Sequence, residues 1–534
     1  MIAENSVNEK PDWRRYFKWN TDHKVIGIQY LVTTFVFFII GGMLAMFIRT
    51  ELLQPGVDVI DGAEFNRFLT NHGSVMIFLW IIPVGAGLGN YFIPLMIGAK
   101  DMAFPRLNAL SYWLIPPAGA LMIASFFVGA ADTGWTAYVP LSILAPDGQT
   151  LWAISVAILG FSSILGAINF VTTTITMRAE GMGFWDLPLF VWGMLATSIM
   201  ILTATPMLTA GLVMVAFDRL AGTLFFSAVS GDPILYQNLF WFYSHPAVYI
   251  MVLPAMGIVS EVLPVFSRKP VFGYKAIALS SLAISLLGMT VWAHHMFTSG
   301  MNPALRIPFM VTSMIIAVPT GVKIFSWLGT IWDGKIRFTT PMLFALGFIS
   351  MFLIGGITGI FLAAIPIDIH VHDTYFVVAH LHFVLFGGSV SAIYAGLYYW
   401  FPKITGRKYN EKLGKVHFWM NFIGTNLAYL PMFLAGMLGM PRRVADYSSE
   451  FTTLNILASV GAFILGASSL PFIYNAIVSW ATGDKAEANP YNAKTLEWKT
   501  SSPPPEHNFE ETPVMTEGPY SYGEAAAAPS PATD

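Results

Sequence analysis

The sequence contains no cysteine, and only 11% of its 534 residues are charged. Without cysteine the chain cannot form a disulfide, bind an iron–sulfur cluster, ligate haem through a thiolate, or hold zinc or copper with thiolate ligands. Soluble proteins carry about 25% charged residues, so this composition argues against a water-soluble globular protein. The formal net charge of −3 provides no basic patch for nucleic acid.

Long apolar runs supply the hydrophobic content, which is 55% of the residues. A run of about 20 apolar residues crosses the ~30 Å hydrocarbon core of a bilayer, and such spans are helical because lipid cannot hydrate backbone polar groups. The sequence therefore predicts an all-α, polytopic membrane protein with twelve transmembrane helices. The predicted segments are 25–48, 71–97, 109–130, 152–176, 187–216, 236–265, 274–295, 305–329, 340–364, 375–401, 415–439 and 452–480.

Positive charge predicts the orientation of these segments. Twelve spans place both termini on one side, and most of the 28 lysine and arginine residues fall on that side. Loops rich in lysine and arginine stay in the cytoplasm, so both termini are predicted to be cytoplasmic. The chain then divides into an N-terminal segment (1–24), a twelve-helix core (25–480) and a tail (481–534). The tail is rich in Pro, Ala, Ser and Glu and is predicted to be largely extended or disordered.

Six histidines lie inside or at the edge of the apolar segments. Ionisable residues at membrane depth are costly and are functional candidates, although a single buried histidine can simply bond a neighbouring helix. With this orientation all six share the outer half of the membrane, which packing alone does not require. Neutral imidazole is the commonest metal ligand, so the pattern predicts metal or haem ligation. The six are His72, His245, His294, His295, His380 and His382.

The spacing of these histidines limits what each can bind. His380 and His382 point about 200° apart on a helix, so they serve two different cofactors rather than one metal. His245 and Tyr249 are four residues apart and share one helix face. The adjacent pair of histidines at the end of the seventh segment can both reach one metal if the backbone is locally unwound there.

With these features the sequence resembles subunit I of the haem–copper oxygen reductases of the cytochrome c oxidase type. The resemblance covers essentially all of residues 20–510, in the family's order. It is carried by HGSVMIF (72–78), GNYFIPLMIGAKDMAFPRLN (89–108), GFSSILGAINF (160–170), WFYSHPAVYI (241–250), VWAHHMFTSGM (291–301), AVPTGVKIFSW (317–327), HDTYFVVAHLHF (372–383) and GMPRR (439–443).

The resemblance implies two haems of the A type, one copper and a magnesium ion. It assigns His72 and His382 to the low-spin haem iron, His380 to the high-spin haem iron, and His245, His294 and His295 to copper. Tyr249 would be joined covalently to His245 and supply a proton and an electron for O–O cleavage. The remaining assignments are Arg49 at the low-spin haem, Arg442, Arg443 and Asp368 at the haem propionates, and His372 and Asp373 at magnesium. Ordinary polar loop residues are the alternative for the propionate and magnesium sets.

Two proton routes are also implied by the resemblance. Lys323, with Thr320 one turn earlier, matches the lysine channel, and the alternative is a lysine that extends to the membrane interface. Asp101 matches the mouth of the second channel, and the alternative is a solvated loop carboxylate. The residues implied along the second channel are Asn90, Asn108, Ser162 and Ser163.

The sequence departs from the best-known family pattern beside the copper ligand. That pattern has a glutamate two residues after the histidine, where this chain has Ala247, which cannot carry a proton. Tyr243 and Ser244 precede His245 instead, which resembles a branch of bacterial and archaeal oxidases that use a Tyr–Ser pair. Tyr243 lies one helical turn from Ala247 and is predicted to replace the glutamate. The alternative is that it only packs between helices.

These features predict the catalytic subunit of a terminal oxidase in the bacterial cytoplasmic (inner) membrane. It would reduce dioxygen to water and pump protons. Because the chain lacks cysteine, electrons from cytochrome c would enter through a dinuclear copper centre on subunit II, and subunit III would complete the core complex. A quinol oxidase with the same core is the closest alternative. Tyr249 and the channel motifs argue against a nitric oxide reductase, and the shared histidine depth argues against a non-redox transporter.

Overall fold

The computed structural model describes residues 13–515 and 517–522, and within these residues the fold is all-α. Twelve long helices follow the predicted apolar segments. They are α1 (His23–Glu51), α2 (Gly62–Ile97), α3 (Pro105–Val128), α4 (Gly148–Thr176), α5 (Leu189–Leu220), α6 (Pro233–Ser267), α7 (Tyr274–Gly288), α8 (Pro303–Ile331), α9 (Thr340–Ala363), α10 (Tyr375–Thr405), α11 (Glu411–Met437) and α12 (Ser449–Thr482).

Not all twelve helices have the length and composition of a membrane span. Among the described residues, ten are long and apolar enough to cross a bilayer. The apolar helix α7 has only 15 residues, and the polar content of α11 keeps it outside the ten. The all-helical membrane fold is therefore confirmed, whereas the number of twelve spans stays a prediction.

Neighbouring helices pack antiparallel, most extensively α11 with α12, α5 with α6, and α4 with α5. Small residues allow these close approaches, as in other membrane helix pairs. A Cβ atom on Gly461 of α12 would lie 2.2 Å from the Ala428 nitrogen of α11, and one on Gly193 of α5 would lie 2.6 Å from the Leu253 carbonyl of α6. Any larger side chain at either position would push the two helices apart.

Two helices change their winding beside the predicted haem ligands. Residues Val75–Ile81 of α2 and Phe383–Val390 of α10 are π-helical. One π segment begins three residues after His72 and the other directly after His382. Wider turns of this kind occur often at functional sites, because they re-aim the side chains around them.

The two ends of the helix bundle are named after the parts of the chain that lie there. The tail end is where α1 begins and where the residues after α12 pack. The far end is opposite, where α2, α6 and α10 begin. All six predicted ligand histidines lie in the half of the bundle nearer the far end, because His72, His245, His380 and His382 are in the first half of their helices and His294 and His295 follow the end of α7.

The described part of the tail, 483–515 and 517–522, has little regular structure but is packed against the bundle. Within it lie one short 3₁₀ turn, Leu496–Lys499, and the buried residues Glu497, Trp498, Asn508 and Tyr520. The composition of the tail did not indicate this packing, because a few aromatic and polar side chains provide the contacts within a polar segment. Residues 1–12, 516 and 523–534 of the predicted terminal segments lie outside the described residues.

Candidate metal centre

Three histidines converge between α6, α7 and α8. His245 comes from α6, and His294 and His295 come from the 3₁₀ turn Trp292–Met296 that follows α7. Ring nitrogens of all three lie within 4.8 Å of one another, the only such three-residue ligand cluster among the described residues. The α-helix ends at Gly288, so the backbone is unwound where two adjacent histidines need to reach one metal.

Neighbouring groups hold these rings in place. His294 Nδ1 lies 2.8 Å from the Ser313 hydroxyl, and the His295 ring stacks on Trp241 at a centroid distance of 3.7 Å. His245 Nδ1 lies 3.2 Å from His295 Nε2, while His245 Nε2 is buried without a hydrogen-bond partner among the described residues. One buried and two half-buried imidazoles that converge suit a copper ion, and the buried His245 nitrogen without a partner requires such an explanation.

Tyr249 lies at the edge of this cluster. Its ring is 4.9 Å from the His245 ring in an edge-to-face arrangement, one helical turn further along α6. Gly288 at the end of α7 makes room for it, because a Cβ atom there would lie 2.9 Å from Tyr249 Cδ2. The phenol is thus held directly beside the three imidazoles.

His72 and His382 form a second arrangement. Their rings are parallel to within 5°, with centroids 6.4 Å apart. Each Nδ1 lies 2.8 Å from a backbone carbonyl, Gly41 for His72 and Val378 for His382. Such contacts fix a ring's orientation and leave Nε2 as the metal ligand. The pair offers two imidazole nitrogens that could hold one haem iron.

His380 faces away from that pair. Its Nδ1 lies 2.9 Å from the Gly355 carbonyl of α9, and a Cβ atom on Gly359 would lie 2.9 Å from its Cε1. His382, in contrast, stacks on Tyr429 of α11. The two histidines therefore contact different helices, α9 for His380 and α11 for His382, as their spacing predicts.

The family described as cytochrome c and quinol oxidase polypeptide I matches residues 25–464 of the chain. The chain belongs to this family. Cytochrome c oxidase subunit 1 of Synechocystis sp. is 58% identical over 527 residues, which are 98% of this chain and 96% of that protein. Subunit 1 of Thermostichus vulcanus is 56% identical over 96% of this chain and 93% of that protein.

More distant relatives agree with this assignment. A probable cytochrome c oxidase subunit 1-beta of Nocardia farcinica is 48% identical over 94% of this chain and 87% of that protein. A solved heme-copper terminal oxidase dimer has the same fold, with a TM-score of 0.76 at 19% sequence identity over 87% of this chain and 85% of that one. This oxidase family implies haem and copper as cofactors. The positions of the histidines can therefore be compared with what these two cofactors need.

Arginines predicted at the haems of the oxidase family are buried or half-buried. Arg49 of α1 donates to the Ser459 hydroxyl and to the Asn455 carbonyl of α12, both within 2.9 Å. Arg443 lies against Gly134, and burial lowers its pKa to about 10. Arg442 and Arg443 are the two arginines in the stretch between α11 and α12.

The predicted magnesium residues pair with one another and with Arg442. The Asp373 carboxylate accepts from Arg442 Nε at 2.8 Å, and His372 Nδ1 lies 3.1 Å from Asp368 Oδ2. Burial opposes protonation of His372, but the hydrogen bond to Asp368 and the negative charges of Asp368 and Asp373 together outweigh it and raise its pKa. Burial also opposes ionisation of Asp373, but Arg442 outweighs it and lowers its pKa. The structure thus brings the predicted magnesium residues together. Among the described residues, they do not offer three ligand atoms that could hold one metal ion.

Residues predicted for the second proton route lie at the tail end. Burial raises the pKa of Asp101 to about 6, and its carboxylate accepts from the Met102 nitrogen. The side-chain amide oxygen of Asn90 and both polar atoms of the Asn108 side chain are buried without partners among the described residues. Buried amides in this condition are typical of sites that hold ordered water.

A cavity of about 40 Å³ lies between α2, α4, α5 and α6. Ser162 and Ser163 line it, together with Tyr30, whose hydroxyl donates to Ser111 at 3.0 Å. The cavity is large enough for a few water molecules. It reaches Ile250 of α6 but not the Tyr243–Ser244 pair, which is buried.

Sequence reasoning missed Tyr30 and Ser111 in this route. Ser162 donates to the Ser111 carbonyl, so both residues belong to the same hydrogen-bonded group. Hydroxyls inside apolar helices were the available signal, but the sequence holds many of them. Only the packing of α1 against α3 and α4 distinguishes these two.

Lys323 is buried in α8. Its ammonium group donates to the Ser281 hydroxyl at 2.6 Å and to the Ile277 carbonyl at 3.2 Å, both on α7. Thr320, one turn earlier, donates only to the carbonyl of its own helix. Lys323 thus lies between two helices, which is the position that a proton carrier at this depth requires.

Proposed function

We propose that this chain is the catalytic subunit of a bacterial cytochrome c oxidase that reduces dioxygen to water in the cytoplasmic membrane and pumps protons. The observation that carries the proposal is the convergence of His245, His294 and His295, with Tyr249 beside them. The relatives with highest identity among those compared are named cytochrome c oxidase subunit 1, which favours cytochrome c over quinol as electron donor.

The residues present fit two haems and one copper. His72 and His382 would hold the low-spin haem, His380 the high-spin haem, and the triad His245, His294 and His295 the copper. When bound, these groups supply the electron transfer and oxygen activation that side chains cannot provide. The carbonyl and hydroxyl contacts at Nδ1 of His72, His294, His380 and His382 keep Nε2 as ligand.

Tyr249 would deliver a proton at the copper site through its phenol hydroxyl. Lys323 would pass protons toward it from the tail end, since its ammonium group lies between α7 and α8 and is bonded to a hydroxyl on the neighbouring helix. Thr320 lies one turn further toward the far end on the same helix. A titratable group at this depth is the feature that a proton path through apolar helices needs.

The second route would begin at Asp101 and continue through Asn90, Asn108, Ser162 and Ser163. The buried amides and the cavity beside the serines support this route. Tyr243 and Ser244 would end it in place of the glutamate that Ala247 replaces, forming the Tyr–Ser variant of the channel. The Ser244 hydroxyl is buried without a partner among the described residues, which suits a contact with water.

Several finer features belong to the same proposal. The chain would cross the membrane twelve times with both termini in the cytoplasm, and its haems would be of the A type. Arg442, Arg443 and Asp368 would lie at the propionates, and His372 and Asp373 would contribute to a magnesium site. The chain lacks cysteine, so subunit II would carry the dinuclear copper centre, and subunit III would complete the core.

The test uses the complex purified from its own membrane. Haem extraction and metal analysis are expected to give two haems A and one copper per copy of this chain in addition to the copper of subunit II. Oxygen uptake is then measured with reduced cytochrome c and, separately, with a quinol. Uptake with the quinol alone would overturn the cytochrome c assignment, and a preparation without haem would overturn the whole proposal.

A further inference from the structure

The tail contacts the bundle beside the half-buried Asp101, at the entrance of the proposed second proton route. The contact is made by Asn508, which is 0% exposed although the sequence around it is polar. A side-chain amide has two N–H donors and an acceptor oxygen, and each needs a partner when it is buried. The partners of Asn508 therefore show which parts of the chain it joins.

The amide nitrogen of Asn508 binds the segment that follows α2. It donates to the Ala99 carbonyl at 2.8 Å and to the Lys100 carbonyl at 3.2 Å. Carbonyl groups at the end of a helix have no partner within the helix, and α2 ends at Ile97. Asp101 follows Lys100 directly, so the amide holds the residue next to the proposed proton entrance.

The amide oxygen of Asn508 faces the start of α1. It accepts from the Lys24 ammonium group at 2.9 Å and lies 3.0 Å from Nε2 of the buried His23. The other ring nitrogen of His23, Nδ1, lies 2.7 Å from the backbone carbonyl of Asn90, a residue of the proposed second route. One tail side chain thus connects the start of α1 with the segment that carries Asp101.

A sharp turn at Gly98 brings this segment to the tail. Gly98 has a φ of +75°, in the left-handed region that favours glycine. A Cβ atom there would lie 3.1 Å from Cγ of Pro513, so the tail packs on the turn as well as binding the carbonyls beyond it. Asn508 itself has a φ of 71°, and asparagine adopts this conformation more readily than most residues. The backbone at both positions therefore suits the contact.

Other anchors of the tail lie away from this turn. Lys403 of α10 donates to carbonyls on both sides of the 3₁₀ turn in the tail, and the Tyr520 hydroxyl donates to Glu261 of α6. Among the described residues, Asn508 is the only tail side chain that forms a hydrogen bond with the segment 98–104. Several contacts therefore retain the tail, whereas one side chain of the tail bonds this segment.

We propose that Asn508 is a positioning residue of the proton entrance, which holds the segment that carries Asp101 against the start of α1. The tail then forms part of the entrance. This inference rests on the second proton route proposed above. The amide of Asn508 does not carry the proton itself. Its contribution is to keep Asp101 in a fixed position relative to Asn90, a further polar residue of the proposed route.

Two substitutions separate the hold on this segment from the hold on the tail. Asn508→Ala removes every polar contact of the side chain. Asn508→Asp keeps an oxygen that accepts from Lys24, but it has no N–H donor for the two carbonyls. Aspartate also adopts the left-handed backbone of this position more readily than alanine. Asn489→Ala is the matched control, because among the described residues the Asn489 side chain bonds only the backbone of Ala493, within the tail.

Hydrogen exchange of the purified complex measures the hold on the segment directly. The segment 98–104 contains hydrogen-bonded amides, including that of Ala103, so its protection is measurable. Exchange there is expected to rise several-fold in both Asn508 variants and to stay unchanged in Asn489→Ala. In Asn508→Asp, residues 494–500 of the tail are expected to keep their protection. Unchanged exchange of the segment in both variants, or loss of protection in both regions of Asn508→Asp, would overturn the proposal.

Proton release from vesicles tests the role in proton entry. Asn508→Asp is expected to lower turnover and proton release several-fold with normal haem spectra. Adding it to Asp101→Asn is expected to cause no further fall, because the effects of residues that act through one another are not additive. A double variant that is slower than Asp101→Asn would show that Asn508 acts elsewhere, and would overturn the proposal.

The rate of Asp101→Asn alone separates this inference from the proposed route. Normal proton release in Asp101→Asn would overturn the second route, and the role of Asn508 in proton entry with it. Slow release in Asp101→Asn beside normal release in Asn508→Asp would overturn only the role of Asn508. The second route would then stand without a contribution from the tail.

Discussion

The two ends of the helix bundle bury their polar groups in different ways. At the far end, four imidazoles each place Nδ1 on a carbonyl or hydroxyl and leave Nε2 free. At the tail end, both side-chain polar atoms of Asn108 and the Oε2 atom of Glu497 are buried without a partner among the described residues. The first arrangement fixes ligand positions for metals. The second leaves places for water and protons.

The largest effect is expected from removing a predicted metal ligand at the far end. His294→Asn is expected to lose the copper and reduce oxygen uptake by at least 100-fold, because one of three ligands is removed. The low-spin haem spectrum is expected to persist, since His72 and His382 lie on other helices. His417→Asn is the control, because His417 is a buried histidine of α11 outside the cluster. Loss of both haem signals with copper retained would contradict the ligand assignment.

The second-largest effect is expected from the proposed lysine proton route between the two ends of the bundle. Lys323→Met is expected to leave only a few per cent of turnover, because the substitution removes the titratable group between α7 and α8. Carbon monoxide binding to the fully reduced enzyme is expected to be normal, since the metal ligands are untouched. The exposed Lys275→Met at the start of α7 is expected to retain full turnover. Oxygen uptake near the unmodified rate in Lys323→Met would exclude the channel role.

A smaller effect is expected from Tyr243→Phe. The phenol hydroxyl is the group proposed to end the second route, and its loss is expected to lower turnover or proton release several-fold in vesicles with normal haem spectra. Oxygen uptake and proton release are followed together in the same preparation. If both rates match those of the unmodified enzyme, Tyr243 only packs between helices and the route ends elsewhere.

The smallest expected effect is on stability at the tail end. Burial raises the pKa of Asp101 from 3.8 to about 6, so its ionised form costs stability that grows between these pH values and levels off above them. Asp101→Asn is therefore expected to raise the melting temperature relative to the unmodified complex at pH 7 more than at pH 4. The gain is about 1 kcal/mol or less, because the group is partly exposed. A gain that is larger at pH 4 would contradict the burial argument.

The sequence predicted much of the far end because its signals are local. Apolar runs predict the helices, and the two-residue spacing of His380 and His382 places their rings on opposite faces. Short-range geometry also predicts the adjacency of His245 and Tyr249. The distribution of positive charge predicts the orientation of the helices, and this orientation places the six histidines in one half of the bundle. Apart from the charge count, which sums over all the loops, each of these inferences uses residues within one helix or one loop.

By itself, the sequence determined the all-helical membrane fold, the oxidase family and the set of candidate ligands. Only the tertiary structure decided the carbonyl and hydroxyl partners of the imidazoles, the joining of Tyr30 and Ser111 to the serine cavity, and the packing of the tail. The contact between Glu261 and Tyr520 joins positions 259 residues apart. Hydrophobicity and helical period depend on neighbouring residues, whereas such contacts depend on how helices and loops pack, which no local pattern records.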